Sequence, residues 1–307
     1  MATSFTDPLL INISDRIIKA ARPNLARLHR LGIDVSAKPA APGTTIKVPL
    51  VNAGAANQYD ATTNNYCNAS GSVTYVSVAL SSHPVSTISI TPEDARAADV
   101  TNVQRVAVES AGEAVAVAAL TAYHGLLPAS TATTSPQFDA TLTSAAGFAA
   151  VRAAVVNGIA ATQTLPAFVG TAPAVCDLVL GPSAYSTALT LFDVMAWAAR
   201  METNPVRDGW FEGGLLGFRS VVEDPLIDET SVVGYVIARD ALAFAARPVE
   251  VRNPSAYAAY EYRTDDQTGL TLTYREHAES CTDTRYLNVE ALFGGSVAQA
   301  ARIVTLV

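Results

Sequence analysis

The stretch that most constrains this chain is Thr91-Pro92-Glu93-Asp94 and the run behind it to Gly125. A capping threonine, proline at the first helical position and acids in the first turn start a helix. Val103, Val106, Ala107, Ser110, Ala114 and Val117 then recur at steps of three and four, which predicts one long helix over 100–124, closed by Gly125. Its sides are almost all Ala, Val, Ser and Gly, so other backbones can approach it closely.

Weaker patterns surround it. Ser14 opens an amphipathic stretch with Ile17, Ile18, Ala21, Leu25, Leu28 and Leu31 on one side, interrupted at Pro23 and ended by Gly32. Residues 36–49, with Pro39, Pro42 and Pro49, are extended, and 52–72, dense in Ala, Asn, Thr and Gly, read as a long loop. β-Branched alternation over 73–90 predicts strands, most simply a projecting two-stranded loop. A second helix is expected over 143–157, using Phe148, Val151 and Val155 and stopped by Gly158. Residues 175–183 read as strand, turn and a helix cap at Ser183, with the helix running on over 183–200. Runs 216–222 and 232–238 have strand length, and 241–246 reads as a short helix ended by Pro248. Segments 257–263 and 270–276 alternate as a hairpin about Thr264-Asp265-Asp266-Gln267-Thr268-Gly269, and 302–307 closes the chain as a strand. The layout is α+β, with segments such as 52–72 that a compact monomer would not need.

Composition narrows the class. Half of the 307 residues are apolar, enough for a large core, yet only 16% are charged against about 25% in an ordinary soluble domain. The longest unbroken apolar run, 114–120, is far short of the roughly 18 residues of a membrane-spanning helix, so no membrane is expected. The N-terminus lacks the basic start and cleavage site of a signal peptide, and Cys67, Cys176 and Cys281 are too scattered for a disulfide framework. An intracellular place of synthesis fits. Of 20 basic residues 17 are arginine, and the three lysines, Lys19, Lys38 and Lys47, all lie in the first 47 residues. Arginine is enriched and lysine depleted at protein interfaces, although an Arg- and Ala-favouring genome gives the same skew. Residues 1–47 carry seven basic and three acidic side chains, a net of +4, while the remainder holds 13 against 25, a net of −12. A basic arm on an acidic body can lie on a neighbouring copy or face packaged nucleic acid.

Catalytic constellations are missing from the sequence. His29, His83, His124 and His277 stand alone, without the short-spaced partners of a metal site, and read as structural. Gly181-Pro182-Ser183 resembles a nucleophile elbow only until Tyr185, which stands where the second glycine belongs, so Ser183 reads as a helix cap. No lysine follows Lys47 to build a phosphate loop, and the glycines over 209–217 lack dinucleotide spacing. The acid pairs Glu223-Asp224, Asp228-Glu229 and Asp265-Asp266 sit in turns, where solvated acids are the common case and a calcium site the exception. Cys67 reads as a free thiol.

The order of patterns from 175 to 307 resembles the major capsid proteins of tailed bacteriophages, the family with the Hong Kong 97 phage capsid fold. Leu178-Val-Leu-Gly-Pro-Ser-Ala-Tyr-Ser-Thr-Ala-Leu189 looks like the strand, turn and helix that open its axial domain. Gly214-Leu-Leu-Gly-Phe-Arg-Ser-Val-Val-Glu-Asp-Pro-Leu-Ile227 resembles its glycine-bearing loop and following strand. Residues 232–248, ending Arg239-Asp-Ala-Leu-Ala-Phe-Ala-Ala-Arg-Pro248, are similar to its next strand and short helix. The hairpin about Asp265 and the close from Asn288-Val-Glu-Ala-Leu-Phe-Gly-Gly295 match its last strands. The first half agrees in layout alone.

The resemblance implies an N-terminal arm over 1–45, an extended loop over 46–91, a spine helix and peripheral domain over 92–168 with strands at 247–291, and an axial domain over 169–246 with a return at 292–307. It implies a structural protein, not an enzyme, without cofactor, metal or catalytic residue. Copies would assemble through pentamers and hexamers into the icosahedral shell of a virion built in the host cytoplasm, enclosing double-stranded DNA without sequence-specific binding. Separate scaffold, portal and decoration proteins have room in this picture. Contacts between subunits are expected at Arg16, Arg27 and Arg30 of the arm, and between Asp265 and Asp266 of one copy and Arg263 or Arg275 of another. Two departures matter: the arm begins within a few residues of Met1, leaving no room for a built-in scaffold, and no lysine in 48–307 can serve the Lys–Asn crosslink some members form. Lys47 sits at most at the base of the loop. A nanocompartment shell of the encapsulin type shares the fold, and a soluble α+β enzyme or binding protein is the remaining alternative.

Overall fold

A computed structural model of the chain describes residues 16, 17, 21, 33–35, 40–52, 72–97, 100–128, 137–157, 176–191, 210–212, 217–238, 241–251, 253–264, 271–279 and 281–307. Helix α1 (Pro92–Ala97) starts where the sequence places it. Thr91 and Asp94 close a reciprocal cap: the Asp94 amide donates to Thr91 Oγ1 at 3.2 Å, and the Thr91 amide donates back to Asp94 Oδ2 at 3.0 Å. Helix α2 (Val100–His124) follows as one piece of 25 residues, a rod of roughly 38 Å at 1.5 Å per residue. The Gly125 amide donates to Thr121 O at its end.

The face α2 buries is not the stripe first visible in the sequence. Val108, Ala111, Val115, Ala119, Leu120 and Tyr123 are buried, whereas Val106 and Val117 are 58% and 43% exposed. An almost wholly apolar helix carries two competing stripes, and tertiary packing chose the one ending in Leu120 and Tyr123, which offers more area to bury. By length and composition the stretch Val106–His124 passes for a membrane span, but here it is the helix on which a sheet is laid.

That sheet is antiparallel, in the order β11 (Ala259–Thr264), β12 (Thr271–Glu279), β13 (Thr284–Glu290), β4 (Val85–Ile90). The predicted hairpin about Asp265 is its β11–β12 pair, with Ala259 opposite Glu276 and Thr264 opposite Thr271. A second, mixed sheet of six strands runs β5 (Gln137–Phe138), β15 (Ile303–Leu306), β9 (Gly234–Ala238), β6 (Cys176–Leu180), β8 (Ser220–Glu223), β7 (Trp210–Glu212). All five residues of β6 and of β9 are buried, as the continuous apolar runs require. Helix α3 (Ala145–Asn157) buries Phe148, Val151 and Val155 as expected, and helix α4 (Pro182–Leu191) follows β6. The amphipathic N-terminal stretch is described at Arg16, Ile17 and Ala21, all helical, with Ile17 and Ala21 buried.

Two expectations are corrected. Strands β3 (Ser72–Ala79) and β4 lie in the predicted segment but do not pair with each other: β3 turns back on β2 (Thr45–Asn52), with Thr45 opposite Ala79 and Asn52 opposite Ser72. Between β3 and β4, Ser82 bridges to Phe293 and the Pro84 carbonyl accepts the Ala291 amide, and the second strand then enters another sheet. The segment read as a short helix is strand β10 (Leu242–Arg247), held between β1 (Ile33–Val35) and β14 (Leu292–Val297). Its alternate residues serve different cores: Leu242, Phe244 and Ala246 join the main cluster, while Ala243 and Ala245 join a smaller one with Val48, Val78, Leu80, Val249 and Leu292. Burial on both faces of an extended segment outweighs the helix preference of alanine. Gly294, opposite Ala245 on β14, is needed here because a Cβ would overlap the Ala79 carbonyl of β3.

Candidate functional site

Each described histidine is occupied within the chain. His83 Nε2 lies 2.7 Å from Glu290 Oε2, and His124 Nδ1 lies 2.9 Å from Asp224 Oδ2. His277 stacks on Tyr286 with ring centroids 5.0 Å apart and meets Asn288 at 3.3 Å. His29 lies outside the described residues. Among the described residues no three His, Cys, Asp or Glu side chains converge as a metal site.

The turn acids prove structural, and two are not the solvated groups expected. Asp224 is buried, holding His124 at the end of α2 and accepting the Leu226 amide at 2.9 Å. Glu229 reaches back to α4, where its Oε1 accepts the amides of Ser183 at 2.9 Å and Ala184 at 3.0 Å. Ser183 is therefore not the cap; a carboxylate 46 positions away does that work, favoured by the positive end of the helix. Asp228 folds onto Thr230, whose hydroxyl and amide donate to it and hold its pKa below the ordinary carboxylate value. Asp265 and Asp266 lie outside the described residues.

Within the six-stranded sheet lies a buried polar group that the sequence did not single out. Asp177, fully buried on β6, accepts from Arg219 Nε at 2.8 Å and from Ser220 Oγ at 2.6 Å, and its second oxygen meets Arg219 Nη2. Tyr123 borders it, and Tyr235 stands nearer Asp224. Burial, with the negative charge of Asp224, pushes the Tyr235 phenol up to about 12, and burial pushes Tyr123 well above the ordinary tyrosine value. Tyr235 donates to the Pro128 carbonyl at 3.0 Å. The only available signal was an aspartate inside an otherwise apolar strand, Val175-Cys-Asp-Leu-Val. Asp177, Arg219 and Ser220 tie β6 to β8 within the six-stranded sheet, and the His124–Asp224 contact links the end of α2 to the turn after β8.

The arginines proposed for subunit contacts are distributed unevenly. Arg16 Nη1 lies 3.4 Å from Glu109 Oε1 on α2, both partly exposed. Arg275 is committed within the chain: its Nε pairs with Glu290 Oε1, its Nη1 donates to Tyr257 OH at 3.0 Å, and its guanidinium covers the Tyr257 ring at 5.2 Å. Arg263 on β11 is engaged within the chain as well. Arg27, Arg30 and Cys67 lie outside the described residues. The β2–β3 pair buries Val48 and Val78 and turns Thr45, Lys47, Tyr75 and Ser77 outward, with Tyr75 64% exposed.

No protein-family model and no curated protein sequence matches the chain. Solved structures do match. The virus-like particle from Pyrococcus furiosus aligns over 96% of this chain and 98% of its own, with a TM-score of 0.53 at 10% identity. The capsid of cyanophage A-1(L) aligns over 92% of both chains, with a TM-score of 0.50 at 12% identity. The fold is thus α+β and of the Hong Kong 97 capsid type, as the order of patterns along the chain implied.

Proposed function

We propose that the chain is the major capsid protein of a tailed bacteriophage, a shell-forming subunit with a structural rather than catalytic role. Copies join as pentamers and hexamers into an icosahedral shell that encloses double-stranded DNA in the virion. The observation that carries this reading is the alignment of 92% of the chain with 92% of the capsid subunit of a cyanophage. The low charge and the preponderance of arginine support it. On this reading 1–45 is the arm, 46–91 the extended loop built on β2 and β3, and 92–168 with 247–291 the spine helix and peripheral sheet. Residues 169–246 and 292–307 form the axial domain, to whose six-stranded sheet β5 adds a strand from outside those limits.

Light scattering of the chain expressed alone and together with the scaffold protein of the same genome tests the proposal, with negative-stain images of the large fraction. Closed shells or capsomer rings are expected; a monodisperse monomer or dimer in both preparations overturns it. A protein-compartment shell is the second reading, favoured by the match to the archaeal particle. The contents separate the two: double-stranded DNA marks the capsid, a co-purifying enzyme the compartment.

A further inference from the structure

An open cleft of about 480 Å³ lies where the base of the β2–β3 pair meets the end of β10, lined by Ala40, Thr44, Thr45, Ile46, Arg247 and Glu250. Arg247 is half-buried at the last position of β10. Among the described residues Arg16, Arg219, Arg275 and Arg285 have carboxylate partners in the chain, whereas Lys47, Arg152 and Arg247 have none. Lys47 and Arg152 are exposed and solvated; Arg247 alone of the three is partly withdrawn from water. Glu250 shares the cleft but is exposed and makes no ion pair with it. A guanidinium held in a cleft without an anion is a preformed seat for a carboxylate, which it can grip with two parallel hydrogen bonds.

The acids of this chain indicate which carboxylate. The sequence holds four adjacent acid pairs, Glu93-Asp94, Glu223-Asp224, Asp228-Glu229 and Asp265-Asp266. Of the first three, Asp94 is held by the cap at Thr91, Asp224 by His124, and both Asp228 and Glu229 by the Thr230 turn and the α4 cap, so each of these pairs has at least one member engaged within the subunit. The fourth lies in the six residues that join β11 to β12. Arg275 and Arg263, the partners first expected for it, are engaged inside their own chain.

We infer that the Arg247 cleft receives the Asp265-Asp266 segment of a second copy of this chain, a contact that rests on the shell reading above. The experiment compares wild type, R247E, D265K/D266K and the three changes combined, scoring shells by light scattering and the folding of unassembled subunits by thermal melting. Each partial variant is expected to lower shell yield by at least about tenfold with unchanged melting, since an interfacial charge pair becomes a like-charge clash, and the combined variant to restore most of the yield. Assembly of R247E at the wild-type level, failure of the combined variant to recover, or a fall in melting with assembly intact overturns the inference. The last outcome assigns Arg247 a role inside its own subunit. If the wild type itself forms no particles in either preparation, the shell reading is what fails.

Discussion

At the scale of single residues, the stability of the six-stranded sheet depends on a charge that water never reaches. Asp177 is fully buried, and its carboxylate is balanced by the Arg219 guanidinium and accepts from Ser220. Removing one partner of such a pair leaves an uncompensated buried charge, at a cost of about 3 kcal/mol or more, whereas removing both is far milder. R219M should therefore lower the melting temperature of the unassembled subunit markedly, and adding D177N should recover much of the loss. Equal melting of R219M and wild type would mean that the pair does not hold β6 to β8. The sequence marks only the aspartate, set in an apolar run, and not its partners: parallel pairing of β6 and β8 sets Asp177 opposite Ser220, and that register is a property of the fold.

At the scale of elements, what was legible followed from local chemistry, and what was missed followed from partners distant in sequence. The start of α1 and the end of α2 came through because caps and stop glycines act over a few residues, as at Thr91 and Gly125. The buried face of α2 did not, because Val106 and Val117 are as apolar as Val108 and Val115 and only the sheet decides between them. β10 was misread for the same reason: its alanines face two cores that exist only once β1 and β14 are in place. Gly112 shows how a distant contact imposes a residue. A Cβ there would stand 2.8 Å from Ile17 Cγ2 and 2.9 Å from the Ile17 carbonyl oxygen, so the N-terminal segment crosses α2 at a notch cut for it. G112V should lift that segment, destabilise the subunit by about 1–3 kcal/mol and speed amide exchange at Ile17 and Ala21. Wild-type exchange there in the variant would show that the notch does not seat the segment.

At the scale of the whole molecule, the fold was readable as an order of weak signals, while the contacts that would join copies were readable only as charge. The arm is basic and the body acidic, yet the chain carries its last lysine at position 47. An isopeptide mesh between subunits needs an amine on each copy beside a carboxamide of the next. Lys47, the last amine along the chain, sits at the base of the β2–β3 pair, opposite Ser77 and away from its far end at Asn52 and Ser72. Assembled particles are therefore expected to hold together through packing and ion pairs alone, in line with a surface on which arginine replaces lysine. Purified shells boiled in denaturant should run as one band at the 32.0 kDa mass of the chain, and a ladder of multimers would refute this. Shells held by charge pairs should also loosen as salt rises, whereas a covalent mesh would not, so the salt dependence of particle mass is an independent reading of the same question.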